Sequence, residues 1–438
     1  MLLFGVLLVS LASPPGADKE VVHTPWWPPG SEATAESIGI VSYGHVFMTA
    51  MMERKSTARH TFQAELSDLH DIAIAANTSL SRLTSCLVNA PINESARVRR
   101  ILEESTSWVV PALTVVEMTG EFDGRFRFSM QCTAAQPELG PLRVITRGSR
   151  ARGIIVASSI AELTARAASA SAVLDDIVAL AGRAAVEGGV VEGGGSIPEG
   201  GLSQLLSCSA YVRSGAQGLR DASELRTLLN QTTPRPALAV VVAESRDDAH
   251  LSVSAGWPST GPEEHTGGML EEVTDSSTGE GGALLSLACT ALLSQVAAGS
   301  GVGVRAGRGD AYAVVDRTHR LVYTDGLQLG VPNASGAFDG LDALLSAVGT
   351  DLSRVLACRF YLHAPPPEGY PASLFAGFQR TFCEDHPPPP TRAEYVAATV
   401  PEGAVDRLLG PDGDAHLAQP HVTAQCVAAL PMTTASSN

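Results

Sequence analysis

Beyond residue 35 the chain runs through one order of local patterns three times, and this recurrence constrains its fold more than any single motif does. Each pass reads as a pair of strands, a helix, a strand, a short helix, then a strand ending the unit beside a final strand. In the first pass, residues 39–48 turn at Tyr43-Gly44. Residues 57–76 carry Phe62, Leu66, Leu69, Ile72 and Ala76 at helical spacing. A strand over 82–90, a helix over 95–104 and a β-branched strand over 112–118 follow, with the alternating segment 125–132 as hairpin partner of that strand. The second pass offers strands over 142–146 and 153–158, a helix over 165–180, a strand over 205–212, a helix over 221–229, and closing strands over 237–242 and 250–254. The third has strands over 311–315 and 321–324, a helix over 338–348, a segment over 352–362 leading into a strand, a helix over 370–382, and strands over 393–400 and 421–430.

This order predicts α/β (α+β) units, each a mixed β-sheet covered on one face by two helices. A unit of this size with two apolar sheet faces leaves the second face to be buried by another copy. The expected division is an irregular or weakly signal-like leader over 1–34, a unit over 35–140, and a second over 141–256 with a Gly-rich insertion at 187–201. A linker with an apolar helix at 282–298 fills 257–300, and the last unit spans 301–432. A length of 438 residues agrees with several cores rather than one.

A net charge of −16 opposes a nucleic-acid partner. The 12-residue apolar run at the start is too short to cross a bilayer, so no transmembrane anchor is expected. The seven cysteines stand far apart without metal-ligand spacing, which reads as free buried thiols and a reducing cytoplasm. The apolar start and the N-x-S/T patterns at Asn77, Asn93, Asn230 and Asn333 support the alternative of a secreted or organellar protein. No G-x-S-x-G, H-E-x-x-H or P-loop pattern is present, GVGVRAG at 301–307 reads as a connector, and the histidines are isolated, His386 reading as structural.

The segment after His386 is stiff with prolines and delivers Arg392 to the start of an otherwise apolar strand. A guanidinium there must reach an edge, an interface or a cleft, and its planar fork suits a carboxylate.

Three separated stretches, LVYTDGLQLG at 321–330, LDALLSAVGTDLSRVLACRFYL at 341–362 and HPPPPTRAEYVAATVPEGA at 386–404, together resemble the RidA (YjgF) family of imine and enamine deaminases. The resemblance implies a chorismate-mutase-like unit and hydrolysis of a small 2-imino or 2-enamino acid to a 2-oxo acid and ammonia, without metal or organic cofactor. It also implies that Arg392 binds the substrate carboxylate, that Gly326 admits a ligand close to backbone, and that Tyr312 positions a water or lines the pocket. Gln425 stands where many deaminating members carry a glutamate. An amide orients water but accepts no proton, which opens the alternative of a non-catalytic carboxylate-binding or scaffolding module. PALTVVE at 111–117 and PALAVVVAE at 236–244 look like degenerate copies of the arginine strand, with Leu113 and Leu238 in place of Arg392. Family members form trimers with pockets between subunits, so three tandem copies imply an intramolecular pseudotrimer, with association of whole chains into a homo-oligomer as the alternative. Tandem copies also occur at the C-terminal end of diphthine-ammonia ligases.

Overall fold

The computed structural model describes residues 19–29, 37–50, 62–91, 94–106, 111–118, 128–147, 151–156, 159–188, 205–213, 216–232, 235–243, 285–293, 301–305, 312–329, 338–363, 381–382, 389–396, 398–399 and 422–432. They build a mixed α+β structure around three sheets. The first contains β1 (Glu20–Val21), β2 (Gly39–Ser42), β3 (His45–Ala50), α1 (Phe62–Ala75), β4 (Leu83–Pro91), α2 (Ser95–Ser105), β5 (Ala112–Met118) and β6 (Ser129–Ala135). The second contains β7 (Arg143–Arg147), β8 (Ala151–Val156), β9 (Ile160–Ala167), α3 (Ala170–Glu187), β10 (Leu205–Arg213), α4 (Ala216–Asn230), β11 (Ala237–Ala243) and β12 (Leu285–Leu292). The third contains β13 (Gly301–Arg305), β14 (Tyr312–Asp316), β15 (Leu321–Thr324), β16 (Leu327–Leu329), α5 (Asp339–Ala347), β17 (Val355–His363), β18 (Thr391–Val396) and β20 (Val422–Ala429), while β19 (Ala398–Thr399), between β18 and β20 in the chain, joins the second sheet.

The strand orders β1-β2-β3-β6-β4-β5, β7-β8-β9-β12-β10-β11 and β13-β14-β15-β20-β17-β18 are one order written three times. In each, the helical crossover makes a parallel pair at one side: β4 with β5, β10 with β11, β17 with β18. The final strand returns antiparallel into the centre. A crossover of this kind needs a helix, which explains the recurrent strand-helix-strand spacing.

Each sheet buries one face beneath its helices. Leu66, Leu69 and Ile72 of α1 pack on Val46, Val88 and Met130, and Val173, Ile177 and Ala181 of α3 on Leu163, Ala210 and Leu287. Leu341, Leu344 and Leu345 of α5 pack on Val322, Phe360 and Ala424. Each fully buried leucine or isoleucine contributes about 1.5–3 kcal/mol. The opposite faces bury one another: Ile40, Phe47, Leu206, Val314, Tyr323 and Leu356 form a core drawn from all three sheets. The contacts run in a ring, β2 and β3 of the first sheet against β17 and β6 against β18, β14 and β15 of the third against β10 and β11, and β8 and β9 of the second against β4 and β5. At one point the exchange is literal, β19 pairing antiparallel with β11 at the edge of the second sheet.

Four expectations are corrected. The segment expected as a helix at 282–298 holds β12, the central strand of the second sheet, because pairing to both β9 and β10 overrides the helix propensity of an Ala/Leu-rich run. The segment around 128–135 pairs with β3 and β4 and not with β5 as a hairpin, since the α2 crossover sends β5 to the edge. Residues 301–305, expected as a connector, form β13. The cysteines expected free form Cys86–Cys132, Cys208–Cys289 and Cys358–Cys426 disulfides, each joining directly opposed residues of the same two strands in its sheet. The premise for a reducing compartment falls with them. Part of the expected leader is also ordered: β1 pairs with β2, and Trp26 donates from Nε1 to Asp71 of α1 at 3.1 Å. The Gly-rich insertion beyond Gly188, residues 250–254, residues 370–380 and His386 lie outside the described residues.

Candidate functional site

Because the three disulfides mark equivalent positions, strand register aligns the sheets residue by residue. Leu113 faces Cys86, Leu238 faces Cys208, and Thr391 faces Cys358. The two leucines therefore correspond to Thr391, not to Arg392, and both lie in the cores beneath the helices. Arg392 lies one residue further along β18, in register with Arg359 of β17. Its counterparts are Thr114, opposite Leu87, and Ala239, opposite Ser209. The side chain of Arg392 lies outside the described residues.

Alternation turns the residues beside each cysteine away from the helices and toward the centre of the molecule. There, between the three sheets, is a cavity of about 100 Å³ lined by Gln131, Glu162, Ser209, Tyr323, Arg359 and Gln425 among others. Arg359 crosses between sheets: its Nε donates to Gln131 Oε1 of the first sheet at 2.6 Å and its Nη1 to Ser209 Oγ of the second at 3.2 Å. Gln425, on β20 in register with Arg359, is buried. Its Oε1 accepts from Ser209 Oγ at 2.8 Å, and its Nε2 donates to Ser207 Oγ at 3.3 Å and to the Cys208 carbonyl at 3.2 Å. Polar side chains of all three sheets thus form one connected network, as burial of such groups requires.

Glu162 on β9 enters the cavity opposite Thr290 of β12, whose Oγ1 lies 3.0 and 3.2 Å from the two carboxylate oxygens and donates to them. Burial pushes the Glu162 carboxyl up to about 7, against the opposing pull of the Thr290 hydrogen bond and the Arg359 charge. Tyr323 lines the same cavity, and its phenol is raised well above the usual range by burial, then by Asp316 and Glu162. The cavity therefore joins a cation, a carboxyl balanced between its two protonation states and a set of neutral donors. No group of three or more His, Cys, Asp or Glu side chains arranged to hold a metal occurs among the described residues.

Tyr312 and Gly326 sit together at another place, where the third sheet meets the second. The Arg235 guanidinium carbon stands 4.0 Å from the centre of the buried Tyr312 ring. Gly326 N donates to the Leu238 carbonyl at 3.2 Å, and a Cβ at Gly326 would come within 3.3 Å of the Ala239 backbone and 3.1 Å of Thr423 Cγ2. Gly326 thus admits a neighbouring strand close to its backbone. Neither residue lines the central cavity, whereas Gln425 does.

Sequence reasoning passed over Glu162, Arg359 and Gln131, which line one cavity only because three distant segments converge. Arg359 did have a local signal, a charge in the middle of the apolar run VLACRFYL.

No protein-family model and no curated protein matches the sequence. Among solved structures, a chorismatase is similar over 80% of this chain and 93% of its own, at 9% identity and a TM-score of 0.42. A protein of the Rid family from Yersinia pestis is similar over 27% of this chain and 98% of its own, at 14% identity and a TM-score of 0.22. A YjgF-family protein from Neisseria meningitidis is similar over 27% of this chain and 95% of its own, at 15% identity and a TM-score of 0.22.

Proposed function

We propose that the central cavity binds a small 2-imino or 2-enamino acid and hydrolyses it to the 2-oxo acid and ammonia. One observation carries the reading: Arg359 and Glu162, a cation and a carboxyl raised to about 7, line the same small polar cavity. The guanidinium binds the substrate carboxylate, and Arg392, in register with Arg359 on the adjacent strand, is proposed for the same role. Ionised Glu162 takes a proton from water as the oxygen bonds to the imine carbon. Its acid form returns the proton to nitrogen, giving the carbinolamine; Glu162 then takes the hydroxyl proton and delivers it to the amine as the carbon–nitrogen bond breaks and the oxo group forms, so imine and water become oxo acid and ammonia with no cofactor in the balance. Gln425 holds Ser209 in place, and the acid–base duty falls on Glu162.

In this reading the three sheets are tandem RidA-like units closed into a pseudotrimer, as the repeated strand order and the ring of contacts support. Relationship to the tail of diphthine-ammonia ligases is part of the same proposal. Three cystines favour an oxidising compartment over the cytoplasm.

The test is ammonia release from freshly generated 2-iminopropanoate. Glu162→Gln should lower kcat by about 100-fold and Arg359→Met should raise KM by at least about tenfold. A wild-type rate equal to buffer, or variants equal to wild type, would sink the mechanism. A second reading, binding without turnover, draws on Gln425, whose amide is engaged by Ser207, Ser209 and the Cys208 carbonyl as a brace between sheets. It predicts saturable binding of small oxo acids with no product.

A further inference from the structure

At one end of the cavity the early hairpins of the three sheets converge. Their tips carry His45 at the start of β3, Ser159 in the turn before β9, and Asp316 with His319 around the turn before β15. Ser159 Oγ lies 3.0 Å from His319 Nε2, and His319 Nδ1 lies 2.6 Å from Asp316 Oδ2. Asp316 is fully buried, and its other oxygen accepts the backbone N–H groups of Thr318 at 2.9 Å and His319 at 3.2 Å. That Asx-type turn fixes the carboxylate, which fixes the imidazole. The serine is held as firmly, its N–H donating to the Val156 carbonyl at 3.1 Å and its carbonyl accepting from Leu293 N–H at 2.7 Å.

The geometry points to a nucleophilic triad, Ser159–His319–Asp316, assembled across two sheets and acting on small acyl esters presented from the adjoining cavity. Serine, imidazole and buried carboxylate stand in the order and at the spacings that let histidine accept the hydroxyl proton while aspartate holds its tautomer. His319 is 12% exposed, so the triad is reachable. An independent feature marks the acyl site. His45 lines the cavity, is 5% exposed, and stands edge-on to His319 with ring centroids 6.1 Å apart. Among the described residues its Nε2 is buried without a hydrogen-bond partner. Burial, and then the charge of His319, hold His45 down to about 4, so the ring stays neutral and its N–H is suited to the carbonyl oxygen that gains charge.

In the forward step Ser159 Oγ bonds to the acyl carbon as its proton passes to His319 Nε2. The tetrahedral intermediate expels the alcohol oxygen, which takes that proton. Water then gives a proton to His319 and attacks the acyl-serine, and the proton returns to Ser159 as the acid departs. The sum is ester plus water to acid plus alcohol.

The test uses the full chain with p-nitrophenyl acetate and a fluorophosphonate. Wild type should hydrolyse the ester above background and carry one phosphonyl group, located by mass spectrometry on Ser159. Ser159→Ala should lose the adduct, and both it and Asp316→Asn, which keeps the turn acceptor, should lose at least about 100-fold of the rate. Ester hydrolysis at the buffer rate, an adduct elsewhere, or folded variants as fast as wild type would overturn the triad. Ammonia release from 2-iminopropanoate by Ser159→Ala should be unchanged, so this inference and the deaminase reading fail separately.

Discussion

Arg235 and Asp325, ninety residues apart, form a buried ion pair with Nη2 and Oδ2 3.0 Å apart, their side chains 6% and 7% exposed, where the second sheet meets the third. Asp325 Oδ1 also accepts the Leu238 backbone N–H, and the Asp325 N–H donates to the Tyr312 carbonyl at 2.8 Å. Burial raises the Asp325 carboxyl despite Arg235 beside it, so desolvation outweighs the attraction. Removing one partner strands the other: Arg235→Met or Asp325→Ala should cost about 3–5 kcal/mol in chemical denaturation, whereas replacing both with apolar residues should cost much less.

Glu162 imposes a pH dependence of known sign. Its carboxyl is at about 7 in the folded protein and near the ordinary 4.5 when unfolded, so between those values the folded state binds more protons. Its contribution therefore weakens stability as pH rises through that window. The melting temperature of Glu162→Gln relative to wild type should climb from pH 4.5 to 7 and level off above. His45, held at about 4, acts in the opposite sense between 4 and 6.5, so the difference between the two proteins is the quantity to measure.

The disulfides close loops of 46, 81 and 68 residues, for which loss of one cystine should cost about 4 kcal/mol. Alkylation of the unfolded, unreduced chain should modify one cysteine, Cys383, and reduction should expose six more. Two or more reactive thiols before reduction would contradict the pairing.

Gly326 tests the contact between units without touching charge. An alanine Cβ would press on the Ala239 backbone and on Thr423, so Gly326→Ala should destabilise by about 1–3 kcal/mol, with tryptophan fluorescence or calorimetry as the readout.

Much of this architecture is written in the sequence. The Tyr43-Gly44 turn takes the positive φ values of 48° and 79° that its position between β2 and β3 demands, and α1 buries the spacing read from Phe62 to Ile72. The cysteines were legible too, once aligned: LTSC, LLSC and VLAC precede the first member of each pair, and QCTA, ACTA and QCVA surround the second. Each first cysteine follows a register shift in its strand, after Leu83, Leu205 and Val355. Read singly they look scattered, because partners lie one crossover and one helix apart. The site was less accessible. Gln425 was identified within its strand, but Glu162 meets Thr290 across 128 residues, Gln131 meets Arg359 across 228, and His319, with Asp316 beside it in sequence, meets Ser159 across 160.

The row that holds Arg359 has a further consequence. Its equivalents in the other two sheets are Leu87 and Ser209, so one cation, one hydroxyl and one hydrocarbon meet about the centre. Three identical chains closing the same ring would necessarily bring three arginines to that spot and repel one another. Joining the three sheets in one polypeptide lifts this constraint: each sheet can carry its own residue in the row, and an asymmetric chemistry can grow on a symmetric frame.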